Sequence, residues 1–119
     1  MVENRKFIRL QSAVSLRCKP VVKKGRFGRP KATHCQVKDI GGGGLRVVVD
    51  SEMRIGDLLN LEISIPHLSE AIEAVGEVVW FSKTRSKDHE IREAGLRFRD
   101  IRPEDLHRIF EFVYAIGIG

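Results

Sequence analysis

Between Leu59 and Ile65 every second residue is apolar and the residues between are polar, until Pro66 ends the run. Successive side chains of a strand point to opposite faces, so this period marks a β-strand with one buried face. The same period recurs along the chain. Ala13 to Cys18 reads as a strand, and Thr33 to Lys38 as its returning partner. Between them, the basic stretch from Lys23 to Pro30 is punctuated by Gly and Pro and reads as a loop. A glycine run follows Ile40, and Leu45 to Val49 starts the next strand. Ala74 to Phe81 is another β-rich stretch, with Val75, Val79 and Phe81 as its inward positions. Residues 83–93 are charged and read as an exposed hairpin tip. Leu96 and Phe98 alternate with Arg97 and Arg99 in a last strand.

The period then changes. Leu106, Ile109, Phe110 and Val113 fall at helical spacing. Pro103 suits a first helical position, Glu104 and Asp105 suit the first turn, and Gly117 suits the stop. Consecutive strands with short connections favour antiparallel pairing, and closing the sheet removes its edges. The expectation is a mainly β protein: a six-stranded antiparallel barrel over residues 11–100 and a C-terminal helix over 103–116. At 119 residues the chain is one domain by length and long enough to bury one core.

Charge is unevenly placed. Residues 1–38 carry eleven Lys/Arg and one acid, whereas residues 39–119 carry ten Lys/Arg and fifteen acids. A basic first third on an acidic remainder points to an anion-facing surface built from one region. No apolar run follows the first charges, so a signal peptide is not expected, and no stretch is long enough for a membrane helix. A cytoplasmic protein is the expectation. Two cysteines, Cys18 and Cys35, are too few for a disulfide framework. They read as small buried thiols, neighbours across a hairpin with its tip near Phe27.

Two stretches carry the chemistry. Arg5-Lys6-Phe7-Ile8-Arg9 places two arginines four positions apart, on one side of the chain whether helical or extended. A guanidinium grips phosphate oxygens with two donors, matches O6 and N7 of guanine, and stacks on a base. After 29 further residues comes Asp39-Ile40-Gly41-Gly42-Gly43-Gly44. A carboxylate only accepts, so Asp39 complements the N1–H and N2–H₂ of guanine. The glycines permit φ > 0, a close approach of backbone to ligand, and an anion-binding nest of N–H groups. No Gly-Lys-Ser/Thr follows them, which excludes a P-loop.

The joint placement of these stretches resembles the PilZ domain, a bacterial receptor module for cyclic di-GMP. The family pattern is Arg-x-x-x-Arg, a gap of a few tens of residues, then Asp/Asn-x-Ser-x-x-Gly. Arg5 and Arg9 fit its first part, and Asp39 and Gly44 fit the ends of its second. The stretches Gly76-Glu77-Val78-Val79-Trp80 and Ala94-Gly95-Leu96-Arg97-Phe98 resemble its later strands. The resemblance implies a six-stranded barrel with a flexible segment, residues 1–10, folding over its face. It implies that Arg5 and Arg9 bind guanine and phosphate, that Lys6 adds a phosphate contact, that Asp39 reads a guanine edge and that Gly44 permits the turn. Gly41 stands where the family has serine, which removes a hydroxyl. One such hydrogen bond contributes about 0.5–1.5 kcal/mol, and the N–H of Gly41 is a partial substitute. Trp80 resembles an aromatic that some members place against the ligand, and equally suits a barrel-packing role.

Against this receptor stand two other readings. One is an adaptor of the same fold that binds protein and no nucleotide, for which the loss of the serine speaks. The other is a nucleic-acid-binding barrel, supported by the basic third but not by the aromatics, most of which fall at core-like positions. An enzyme is not expected. His34, His67, His89 and His107 show no metal-ligand spacing, and no Ser or Cys sits in a nucleophile motif. A receptor of this kind needs a downstream protein partner. The tip at 83–93, Phe112 and Tyr114 are the expected surface for one.

Overall fold

A computed structural model describes residues 14–21 and 33–118. Six strands and one helix follow in order: β1 Ser15–Pro20, β2 Thr33–Ile40, β3 Gly44–Val49, β4 Leu58–Ser64, β5 Ile72–Ser86, β6 His89–Ile101 and α1 Pro103–Ile118. Every pairing is antiparallel, and the strands close into a barrel in the order β1-β2-β3-β6-β5-β4. The expected architecture is therefore present, with each of the six strands paired on both sides around the barrel.

The core follows the two-residue period. Leu16 and Cys18 of β1, Leu45, Val47 and Val49 of β3, and Leu59, Leu61 and Ile63 of β4 all point inward. Cys18 and Cys35 lie side by side inside the barrel, their sulfurs 2.8 Å apart. The hydrogen bond with Cys18, and then burial, push the Cys35 thiol up, whereas the same hydrogen bond lowers that of Cys18. The loop expected near Phe27 lies outside the described residues.

Three irregularities break the period. In β2, Val37 faces Val47 and Asp39 faces Arg46, so Lys38 is an extra residue. In β6, Val75 faces Asp100 and Gly76 faces Phe98, so Arg99 is extra. In β5, Val78 faces Leu96 and Trp80 faces Gly95, so Val79 is extra. The last of these corrects the reading of β5. Ile72, Ala74 and Val78 are buried, Val75 and Val79 are not, and Phe81 packs on the core only because the bulge shifts the phase. A single alternation cannot describe a strand that changes phase midway. Residues 83–93 do form a hairpin tip, but as paired strand reaching Ser86 and resuming at His89.

Helix α1 closes the fold through Ile109, fully buried, with Phe112 and Val113 packed beside it. Phe112 is thus a packing residue, not part of a free surface. Phe110 turns from the core onto the backbone of Gly42 and is 51% exposed, and Tyr114 is 69% exposed. The helix runs through Gly117 to Ile118.

Asp105 anchors the first turn. It is buried, and its carboxylate accepts from Arg102 Nε at 3.0 Å and Arg108 Nη1 at 2.8 Å. The Arg102 hydrogen bond, ahead of Arg108, holds this carboxyl below the ordinary aspartate range. A carboxyl lowered in the folded state stabilises above its unfolded value and loses that contribution as pH falls through its folded value. Asp105→Asn is expected to cost about 1–2 kcal/mol at neutral pH. The gap from the parent protein should narrow below about pH 4, as the parent carboxyl protonates. Thermal unfolding across pH measures both.

Candidate functional site

The bulges in β2 and β5 decide which side chains share the outer face. Cys35 and Val37 point inward, so an unbroken strand would bury Asp39 among apolar side chains. The extra residue Lys38 turns Asp39 outward to face Arg46, and Ile40 takes the inward place. On the far side, Val79 does the same for Trp80, which lands opposite Gly95. Arg46 in turn pairs with Gly95. Asp39, Arg46, Gly95 and Trp80 therefore form one row across β2, β3, β6 and β5. Bulges re-aim side chains in this way beside functional sites.

Each member of the row has a local physical reason. The Trp80 ring lies flat on Gly95, where an added Cβ would sit 2.1 Å from the indole Nε1. The ring is still 38% exposed. Asp39 is only 8% exposed, and its Oδ2 accepts from Arg46 Nε at 2.6 Å. A nearly buried carboxylate needs such a partner, since an unpaired one is costly. Arg46 Nη1 also lies 3.9 Å from Glu93 on β6, which Lys38 approaches at 3.5 Å.

The glycine run turns the chain from β2 into β3 beside this row. Gly41 N–H donates to the Gly44 carbonyl at 3.0 Å, and Phe98 N–H donates to the Gly43 carbonyl at 2.9 Å. The Gly41 donor is thus used inside the turn, so it does not stand in for the missing serine hydroxyl. Nor are Gly41, Gly42 and Gly43 at positive φ. Two of the glycines, Gly42 and Gly44, serve close approach instead. A Cβ at Gly42 would meet the Phe110 ring at 2.3 Å, and one at Gly44 would meet the Leu96 carbonyl oxygen at 1.8 Å.

Together these elements border an open cavity of about 670 Å³, between the glycine turn, Asp39, Arg46, Trp80 and Arg97. Its walls combine an acceptor, bare backbone, a flat ring and exposed cations. Arg97 is exposed and reaches Glu77 at 3.3 Å, while Arg99 reaches the same carboxylate at 2.5 Å. Arg99, then Arg97, holds the Glu77 carboxyl below its usual range. Such a cavity fits a planar heterocycle carrying donors and an anionic group. Among the described residues no group of His, Cys, Asp and Glu is arranged to hold a metal.

Asp39, Gly41, Gly44 and Trp80, all singled out from the sequence, border this one cavity. Arg5, Lys6 and Arg9 lie outside the described residues. Arg46, Gly95 and Arg97 were assigned no role from the sequence. Arg46 and Arg97 look like ordinary outward strand positions, and nothing in the chain marks which outward positions become neighbours.

The sequence pattern of the PilZ domain matches residues 3–115. The chain belongs to the PilZ domain family. Solved structures show the same fold. The Bacillus subtilis inhibitor of motility MotI/DgrA superposes with a TM-score of 0.71 at 17% identity, covering 98% of this chain and 53% of that one. The K. pneumonia MrkH–c-di-GMP complex gives 0.71, 17%, 98% and 53%. The PilZ domain of YcgR from Escherichia coli, solved with c-di-GMP, gives 0.63 at 11% identity and covers 98% of this chain and 93% of that one. The chain thus spans about half the length of MotI and MrkH and nearly all of the YcgR PilZ domain. No curated protein matches it. No described helix of this PilZ domain is long and apolar enough to cross a membrane.

Proposed function

We propose that this PilZ domain is a non-catalytic receptor for cyclic di-GMP. The observation that carries the reading is the bulge that sets Asp39 on the outer face, at the rim of a glycine-walled cavity with Trp80 opposite. Asp39 accepts from N1–H and N2–H₂ of one guanine, and the Trp80 ring supplies a stacking face. Arg5 and Arg9 take the Hoogsteen edge and the phosphates, with Lys6 adding charge. Neutralising that charge lets the ligand fix residues 1–9 against the barrel, and a protein partner reads the changed surface. The c-di-GMP complexes of the YcgR PilZ domain and of MrkH support the choice of ligand. A cytoplasmic setting follows from a cytoplasmic messenger.

Calorimetric titration with cyclic di-GMP, with cyclic di-AMP and GTP as controls, tests this. Selective binding at about micromolar Kd or tighter is expected. Asp39→Ala should weaken it by about tenfold or more, the loss of hydrogen bonds to a charged acceptor. Absence of binding would favour the adaptor reading. One observation speaks for that reading: Gly41 brings no hydroxyl, and its N–H is already committed to Gly44.

A further inference from the structure

The acceptor that the receptor reading assigns to guanine is already occupied. Asp39 Oδ2 receives the Nε–H of Arg46 at 2.6 Å, a charge-assisted bond in a nearly buried setting. A guanine edge presents N1–H and N2–H₂ side by side and needs both carboxylate oxygens facing it. It must therefore compete with Arg46. Arg46 has somewhere else to go. Glu93 Oε1 lies 3.9 Å from its Nη1, two residues along β6 from its own pairing partner Gly95. The side chain is half-exposed, so turning from one carboxylate to the other needs side-chain rotation and no backbone movement.

We propose that Arg46 is a latch on Asp39, a specificity-determining residue that the guanine edge must displace toward Glu93. The inference rests on the receptor reading above. It states that affinity is set not only by groups that touch the ligand but by the balance of one arginine between two acids. A ligand without two adjacent donors does not open the latch. Adenine, which offers no N1–H, is rejected for this reason as well as for its missing contacts.

Two substitutions should act in opposite directions. Arg46→Ala frees Asp39 and should tighten cyclic di-GMP binding by about 3–10-fold, the fraction of a charged hydrogen bond not recovered at Glu93. Glu93→Gln removes the alternative acceptor and should weaken binding by about threefold. In the double variant the Glu93 effect should vanish, because no arginine is left to redistribute. The hypoxanthine analogue cyclic di-IMP lacks the exocyclic amine and should gain less from Arg46→Ala than cyclic di-GMP. Thermal melts confirm that each variant is folded. A weaker or unchanged affinity in a folded Arg46→Ala overturns the latch while leaving the receptor reading intact. Binding by Arg46→Ala but not by the parent protein is the latch at its extreme. No binding by either protein overturns the receptor reading and the latch with it.

Discussion

Arg5→Ala/Arg9→Ala is expected to lower affinity for cyclic di-GMP by about 100-fold or more, with the barrel as stable as before. Hydrogen bonds to charged groups contribute about 1.5–3 kcal/mol each. Two arginines holding guanine and phosphate therefore supply about 3–6 kcal/mol, and each 1.4 kcal/mol is tenfold in Kd. The two act on one ligand, so the double loss need not equal the sum of the single ones. Lys6→Ala should cost less, since a lysine contributes a point charge and not a fork. Calorimetry of the variants measures these losses, and thermal unfolding shows whether stability is untouched. An unchanged affinity in the double variant would remove the N-terminal segment from the site.

Gly44→Ala is expected to act on the fold itself, costing about 3 kcal/mol or more. The added Cβ would lie 1.8 Å from the Leu96 carbonyl oxygen and 2.9 Å from Arg97 Cα. Both are backbone atoms of β6, the strand that pairs with Gly44. No side chain can step aside, so relief requires opening the seam between β3 and β6. Gly41 in the same turn is the opposite case, with no atom within 4 Å of an added Cβ. Gly41→Ser should leave stability nearly unchanged and restore a ligand-side hydroxyl, tightening binding by up to about tenfold. Thermal melts of the two variants, run together, separate a glycine required by packing from one that is not.

The barrel and helix were legible because their signals are local. Alternation in Leu59–Ile65 and the helical spacing of Leu106, Ile109 and Val113 reflect the geometry of one segment. Phe110 shares that spacing yet escapes the core, since the glycine turn offers it the bare backbone of Gly42. Val75 and Val79 were misread for a related reason. Whether a strand keeps its phase depends on the residues across from it, and the extra residue at Val79 is defined only against β6.

The amino-acid sequence by itself determined a mainly β chain closed by one helix, a basic first third, and a carboxylate followed by glycines. These depend on residue type and spacing, which the chain carries with it. Only the tertiary structure decided that Asp39, Arg46, Gly95 and Trp80 form a single row, and that Asp39 is held by Arg46. The row draws on four strands and on two bulges, and a bulge is a relation between strands, settled when the barrel closes.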